Sequence, residues 1–392
     1  MRHTLVVGEV GLAVLLAVSA GLLLRTLERL GEVRLGYQTG GRLVATVHAP
    51  AASFEEYVAA ARNLAALGEA LEALPGVVAA VAAVGLPSGP HRSNGAYAVV
   101  GRHRFFEPGQ VLPEADFTLA APGYFRSLGI PILAGREFQA GDLYHAPFVA
   151  VVSESLAAES FPGEDPLGQQ LQCGLDSETP MTIVGVVGDV RQDSPESRPG
   201  PALYMSLAQH PRYANEVQIV VHADGDPAAL VPAVRAAIQR QRKDAATSFT
   251  TLSHQVAGTI ATPKLRGRLA GLFACVALLL AGAGVYGVMA FATSQRRGEM
   301  ALRLALGARG RDLWLLIAES GLRLVAAGLA LGLLATLAAG QLLQSLIFGL
   351  EVHDPATWSS VVGVLFSVAL VTIAGPAWRA MRSDPARVLR QE

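Results

Sequence analysis

Charge is what this chain has least of, and it is missing in blocks. Asp, Glu, Lys and Arg make up 16% of the 392 residues against 51% hydrophobic ones, and the mean hydropathy is +0.38. Soluble domains carry more charge than that, so the membrane class is the first reading. Cysteine is scarce too: Cys173 lies in a stretch of mixed polarity and Cys275 in an apolar run, which excludes a disulfide framework and any CxxC site. A net charge of -1 offers no sign excess to hold nucleic acid or an acidic polymer. The 392 residues contain no GxxxxGK[ST] loop to cradle nucleotide phosphates, no HExxH and no GxSxG. The nine histidines, His48, His91, His103 and His145 among them, fall at no convergent spacing. The expectation is a chain that is not an enzyme and holds no cofactor or metal. Its Ala, Leu, Val, Gly and Arg richness, with few Lys, looks like a high-GC bacterial gene.

What is present is long uncharged runs. A bilayer core takes about 20 apolar residues of helix. Leu269 to Thr293, Leu324 to Phe348 and Ala356 to Trp378 contain no charged residue, and Leu5 to Leu24 contains only Glu9. Backbone groups in lipid must be satisfied internally, so each is expected to be helical. The first run follows Arg2 as a signal peptide would, but it exceeds the usual apolar region of about 7–15 residues. Leu22-Leu23-Leu24-Arg25 is also a poor cleavage site, so a retained anchor is expected. Arginines cluster after the second run (Arg296, Arg297, Arg303, Arg309, Arg311) and in the tail (Arg379, Arg382, Arg387, Arg390), whereas Gly349 to Pro355 has Glu351 and Asp354 and no Lys or Arg. By the positive-inside rule both termini are expected in the cytoplasm, and Leu27 to Arg268 outside it.

That intervening segment alternates strand-like runs (Arg42 to His48, Val77 to Val84, Tyr97 to Val100, Phe148 to Val152, Thr182 to Val187, Val217 to Val221) with helix-like ones (Ser53 to Leu74, Ser153 to Ser160, Pro227 to Gln241, Leu252 to Ile260). Pro75-Gly76, Pro122-Gly123 and Pro162-Gly163 punctuate it. The fold class expected is a membrane protein: a four-helix transmembrane bundle (1+3) with a large extracytoplasmic α+β domain inserted between the first and second helices. The division expected is 1–27 for the first helix, 28–265 for the inserted domain with two subdomains open, and 266–392 for the last three helices.

Within the domain, Asp189 and Arg191, with Asp142 and Glu164, are polar candidates better read as turn and surface residues. Glu9 is an ionisable group in a transmembrane run, a functional hypothesis by default. Snorkelling or an interhelical hydrogen bond is the plainer reading. Gly267 with Gly271, Gly328 with Gly332, and the cluster Gly282, Gly284 and Gly287 let helix backbones approach closely. Between Gln295 and Leu313, the stretch Arg296 to Leu306 reads as a short amphipathic helix with Gly307 as its C-cap. It suits an interfacial helix on anionic headgroups or a docking element for a cytoplasmic protein, and composition leaves both open.

The same loop carries a family resemblance. EMALRLALGARGRDL, Glu299 to Leu313, resembles the signature after the second span of FtsX-like permeases, the membrane subunits of MacB-type ABC transporters. PGYFRSLGIPILAGREF (Pro122 to Phe138), VAVVSESLAAESFPGEDPLGQQL (Val149 to Leu171), TIVGVVGDVRQ (Thr182 to Gln192) and PALYMSLAQ (Pro201 to Gln209) look like the MacB-like periplasmic core domain, in phrasing closest to the duplicated orphan permeases. The resemblance implies a permease subunit of an ABC-type export or mechanotransmission complex in a bacterial inner membrane. In it Glu299, Arg303, Leu306, Gly307 and Ala308 contact a cytoplasmic ATPase, ATP enters only through that partner, and a second permease copy or homodimer and a periplasmic adaptor complete the assembly. Alternatives kept are an FtsX-type signal transmitter controlling an extracytoplasmic enzyme and an orphan scaffold or receptor without ATPase.

Overall fold

The computed structural model describes residues 2–48, 53–90, 93–103, 109–175, 179–213, 216–242, 245–295, 310–340, 344, 347 and 354–381. A long helix, α1 (Arg2–Glu32), leads into β1 (Arg42–His48), α2 (Phe54–Glu72), β2 (Val77–Val84), β3 (Ser93–Val99), β4 (Glu114–Ala120), α3 (Tyr124–Leu128), β5 (Ile132–Gly135), β6 (Val149–Ser153), α4 (Glu154–Ser160), β7 (Gln170–Cys173), β8 (Met181–Val187), β9 (Ala202–Ser206), β10 (Glu216–Ala223), α5 (Val231–Gln241), β11 (Ala246–Thr251) and α6 (Leu252–Thr259). Three long helices follow: α7 (Ala261–Gln295), α8 (Gly310–Ala338) and α9 (Pro355–Met381). The chain forms two compact units, Val33–Ala261, and Met1–Glu32 with Thr262–Glu392.

The first unit is built on one connected 11-stranded sheet. At one end β11, β1, β10 and β2 pair antiparallel in that order, with Leu43 opposite Thr251 on one side and Val221 on the other. Alternate residues along a strand share a face. Leu43, Ala45, Val47, Ile219 and Val221 accordingly meet Leu67 and Leu71 of α2 and Val234 and Ile238 of α5. Ser53 starts α2 as an N-cap, its hydroxyl accepting from the Glu56 amide at 3.3 Å, with Glu55 and Glu56 in the first turn. At the other end β4, β3, β7, β8, β6 and β9 run in sequence, and β9 pairs in parallel with β4, so six strands close into a ring.

The ring is filled by Tyr97, Phe117, Leu119, Ala150, Val152, Leu203 and Met205, with the Cys173 thiol 3.4 Å from the Met205 sulfur. The opposite faces of β6 and β9, Val149, Val151 and Tyr204, are buried as well, under Tyr124, Phe125 and Leu128 of α3. That short helix stops at Gly129, whose φ of +68° is the left-handed geometry that glycine adopts without strain. The conspicuous Pro122 to Phe138 stretch is thus a packing device of the second core.

In the helical unit, Val6, Val10, Ala13, Val14, Val18 and Leu22 of α1 recur at helical spacing and are buried. They meet Ala281, Val285 and Met289 of α7, Val325 of α8, and Val361, Leu365, Ala369 and Ile373 of α9. Among the described residues, by length and composition four stretches can cross a membrane: His3–Glu32, Ala261–Gln295, Ala318–Ala338 and Pro355–Gly375. One boundary needs correcting. The third span, expected at Leu324 to Phe348, begins earlier, and its described helix ends at Ala338. Glu319 and Arg323, which an uncharged-run criterion rejects, pair with each other one turn apart on the helix surface. Residues 310–313, expected in the preceding loop, already belong to α8.

Candidate functional site

The residues expected to meet an ATPase, Glu299, Arg303, Leu306, Gly307 and Ala308, lie outside the described residues. What the structure describes is the helical unit that flanks them, and its geometry is set by glycine. A Cβ on Gly328 would stand 2.5 Å from the Val10 Cβ, and one on Gly332 would stand 2.6 Å from the Gly11 carbonyl oxygen. No side-chain carbon fits there, so α1 and α8 touch backbone to side chain along Val10 and Val14. Gly267 is tight against Leu27, at 3.0 Å, and Gly282 is in ordinary contact with Thr372 and Val368 at 3.6 Å. Among the described residues nothing lies within 4 Å of a Cβ at Gly271, so its expected close approach is not made there. Gly21 against Thr357 and Gly321 against Ile373 do the same work on α9, at 2.9 and 2.8 Å, and no paired spacing in the sequence announces them.

These contacts also set direction. Val10 and Val14 ascend with Gly328 and Gly332, so α1 and α8 run the same way. Gly267 meets Leu27 while Gly284 meets Glu9, so α7 runs opposite to α1; Gly21 near the end of α1 meets Thr357 at the start of α9 while Gly321 near the start of α8 meets Ile373 late in α9, so α9 runs opposite to both. The ends of α1 and α7 that join the core domain therefore lie at the same end of the bundle as the start of α9.

At that end Arg25 of α1 pairs with Asp354, which heads α9. The Asp354 carboxylate also accepts from the Thr357 amide at 2.9 Å and the Thr357 hydroxyl at 2.6 Å, an N-cap. These hold its pKa below the usual carboxylate range, the Thr357 hydroxyl foremost, with Arg25 adding to it. At the opposite end Glu9 of α1 lies against Gly284 of α7, beside a cavity of about 710 Å³. The sequence marks Glu9 as an ionisable residue and Gly284 as one of a small-residue cluster; that they meet is tertiary information.

The polar candidates of the core domain do not converge. Arg136 holds Asp142 through two bonds of 2.8 and 3.0 Å, which raises the guanidinium pKa. Arg102 holds Glu164. Asp189 accepts from the Ser155 amide and hydroxyl, both at 2.9 Å, while Arg191 donates to the carbonyls of Ser197 and Arg34. Buried Arg42 donates to the carbonyls of Ser127 and Gly40 and to Gln38 Oε1, tying β1 to α3, and burial lowers its pKa. Among the described residues no His, Cys, Asp and Glu group could hold a metal ion.

Residues 4–241 match the family model described as the MacB-like periplasmic core domain, and residues 271–385 the one described as FtsX-like permease C-terminal. Among curated proteins the chain is similar to a pyoverdine export ATP-binding/permease protein of Pseudomonas syringae pv. tomato, 29% identical over 67% of this chain and 40% of that one. A macrolide export ATP-binding/permease protein of Aeromonas hydrophila is 25% identical over 69% of this chain and 42% of that one. The chain thus spans less than half the length of these relatives. Among solved structures, the periplasmic region of MacB from Actinobacillus actinomycetemcomitans aligns with 60% of this chain and 97% of its own, at 14% identity and a TM-score of 0.39.

Proposed function

From a chain that belongs to the family defined by the MacB-like periplasmic core domain, we propose a permease subunit of an ABC-type export machine, coupling a cytoplasmic ATPase to an extracytoplasmic domain. The observation that carries this reading is the joining of that core domain, over 4–241, to an FtsX-like permease region over 271–385 in one chain. Relatives named for export support the direction of transport. With no P-loop in the 392 residues, ATP hydrolysis belongs to polypeptide outside them, fused or separate.

The membrane arrangement follows from the positive-inside rule and the helix directions. In this reading the arginine-rich stretches Arg296 to Arg311 and Arg379 to Arg390 face the cytoplasm; the helix ends they adjoin in sequence, the end of α7, the start of α8 and the end of α9, lie opposite the core-domain connections. Motion entering at Glu299 to Ala308 reaches α7 and α8, which flank that loop. Because α1 is packed against α8 through Gly328 and Gly332, it moves with α8. Both connections to the core domain, from α1 and to α7, are thereby driven from the cytoplasmic side. A second permease copy and a periplasmic adaptor complete the proposed assembly.

The test is co-purification of the tagged protein in mild detergent with candidate ATPase subunits, comparing wild type with the Glu299→Ala/Arg303→Ala variant. Capture by the wild type and its loss in the variant is the expected result. Failure of the wild type to capture any ATPase overturns the transporter reading.

A further inference from the structure

Among the described residues, a carboxylate in the apolar first helix has no partner. Glu9 lies between the buried Val6 and Val10, is half-buried, and has no hydrogen-bond or ion-pair partner among the described residues. Its Oε2 occupies space on α7 that any side chain at Gly284 would fill, so that glycine is what admits the acid. The adjoining cavity, about 710 Å³, is lined by His3, Glu9, Gly284, Gly287, Phe291 and Gln295 among others. Ligand pockets run from about 300 to 1,000 Å³ and are mostly apolar with a few placed polar groups.

Depth narrows the ligand. The span His3–Glu32 has 30 residues. At 1.5 Å per residue that is about 45 Å, against a hydrocarbon core of about 30 Å. Roughly five residues at each end therefore stand at headgroup level, and Glu9 lies just beneath them, at the base of that layer. Leu5, 63% exposed, and Phe291, 45% exposed, open the cavity sideways to acyl chains.

We propose that this cavity is a lipid site that takes a phospholipid with a primary ammonium headgroup, Glu9 supplying the counter-charge and the hydrogen-bond acceptor. A carboxylate attracts an ammonium and repels a net-negative glycerol headgroup. A choline headgroup brings charge but no N–H to donate, so it binds less well. The inference rests on the membrane reading of the helical unit and is independent of any ATPase.

Native mass spectrometry of the full chain in detergent, titrated separately with phosphatidylethanolamine, phosphatidylcholine and phosphatidylglycerol, tests it on wild type, Glu9→Gln and Gly287→Leu. Among the described residues nothing lies within 4 Å of a Cβ at Gly287, so leucine there fills the cavity without displacing their backbone. Wild type is expected to bind phosphatidylethanolamine most tightly. Glu9→Gln should weaken it by about tenfold, the factor a charge-assisted hydrogen bond is worth, and Gly287→Leu should abolish it. Equal phosphatidylethanolamine affinity in all three proteins overturns the assignment, as does phosphatidylcholine binding equal to it in wild type. A Glu9→Gln variant that melts earlier in every lipid without changed headgroup preference also overturns it, and gives Glu9 to a cation of the chain itself. Failed ATPase capture leaves the lipid result standing, whereas a chain that stays in solution without detergent overturns the membrane reading itself.

Discussion

Replacing Gly328 and Gly332 with alanine probes how α1 is held. A methyl on Gly328 would stand 2.5 Å from the Val10 Cβ and 3.1 Å from the Val7 carbonyl oxygen, and one on Gly332 would stand 2.6 Å from the Gly11 carbonyl oxygen. Carbon atoms rest at roughly 3.5–4.0 Å, so the helices must part by about 1 Å along this seam. A gap of that size forfeits about a quarter to a half of each contact's attraction. Overpacking costs about 1–3 kcal/mol per site, while alanine's better helix propensity returns up to about 1 kcal/mol. Because both sites press on one seam they do not add fully, and the double variant should lose about 1–3 kcal/mol. Reversible unfolding in mixed detergent, followed by far-ultraviolet circular dichroism, measures it. Gly271→Ala, with nothing within 4 Å, is the control and should stay within about 0.5 kcal/mol of wild type or gain stability. A double variant no less stable than that control would refute the argument.

Asp354→Ala removes both the cap on α9 and the partner of Arg25, and should cost about 1–2 kcal/mol. Asp354→Asn keeps a capping oxygen and should cost less; equal losses would show that the cap contributes nothing. Since the folded pKa of Asp354 lies below the ordinary 3.8, its contribution is complete above that value and fades as pH falls through the lower folded one. Melting from pH 7 to 3 should therefore bring wild type toward Asp354→Asn only at the acid end, and curves that stay parallel would contradict the shift. His222 on β10 is held below the ordinary 6.5, by burial first and then by nearby Arg42. The unfolded chain then binds the proton more readily, so stability falls as pH drops through 6.5 and levels off below the folded value. An NMR titration with its midpoint at or above 6.5 would exclude that.

Much of the architecture is legible in residue pattern because burial imposes period. Long uncharged runs mark α1, α7 and α9, and the strands β1 and β2 coincide with the expected Arg42 to His48 and Val77 to Val84. The start of α8 escapes because Glu319 and Arg323 neutralise each other on its surface, which a rule against charge cannot anticipate. β7 is short, β9 (Ala-Leu-Tyr-Met-Ser) is buried on both faces and so shows no polar alternation, and β11, Ala-Thr-Ser-Phe-Thr-Thr, is largely polar at an edge, so none carries the period of a half-buried strand. Ring closure between β4 and β9 joins residues far apart in sequence. The same limit applies at the candidate site: Glu9 and the glycines of α7 stand out singly, whereas Gly21, Gly321 and the Arg25–Asp354 pair matter only through partners on other helices, far from them in sequence.

The pairing of β1 with β11 decides how the core domain bears load. These strands, at which the chain enters and leaves the sheet, are hydrogen-bonded neighbours running antiparallel, with Leu43 facing Thr251 at one end and His48 facing Ala246 at the other. Tension that slides one connection lengthwise past the other stresses all the rungs from Leu43 to His48 together, in shear. Tension that draws the connections apart sideways opens the ladder from Leu43 and Thr251, one rung at a time, as a zip. A stroke along the strand axis is therefore passed into the sheet as motion of a rigid body, and a lateral one is absorbed by local fraying.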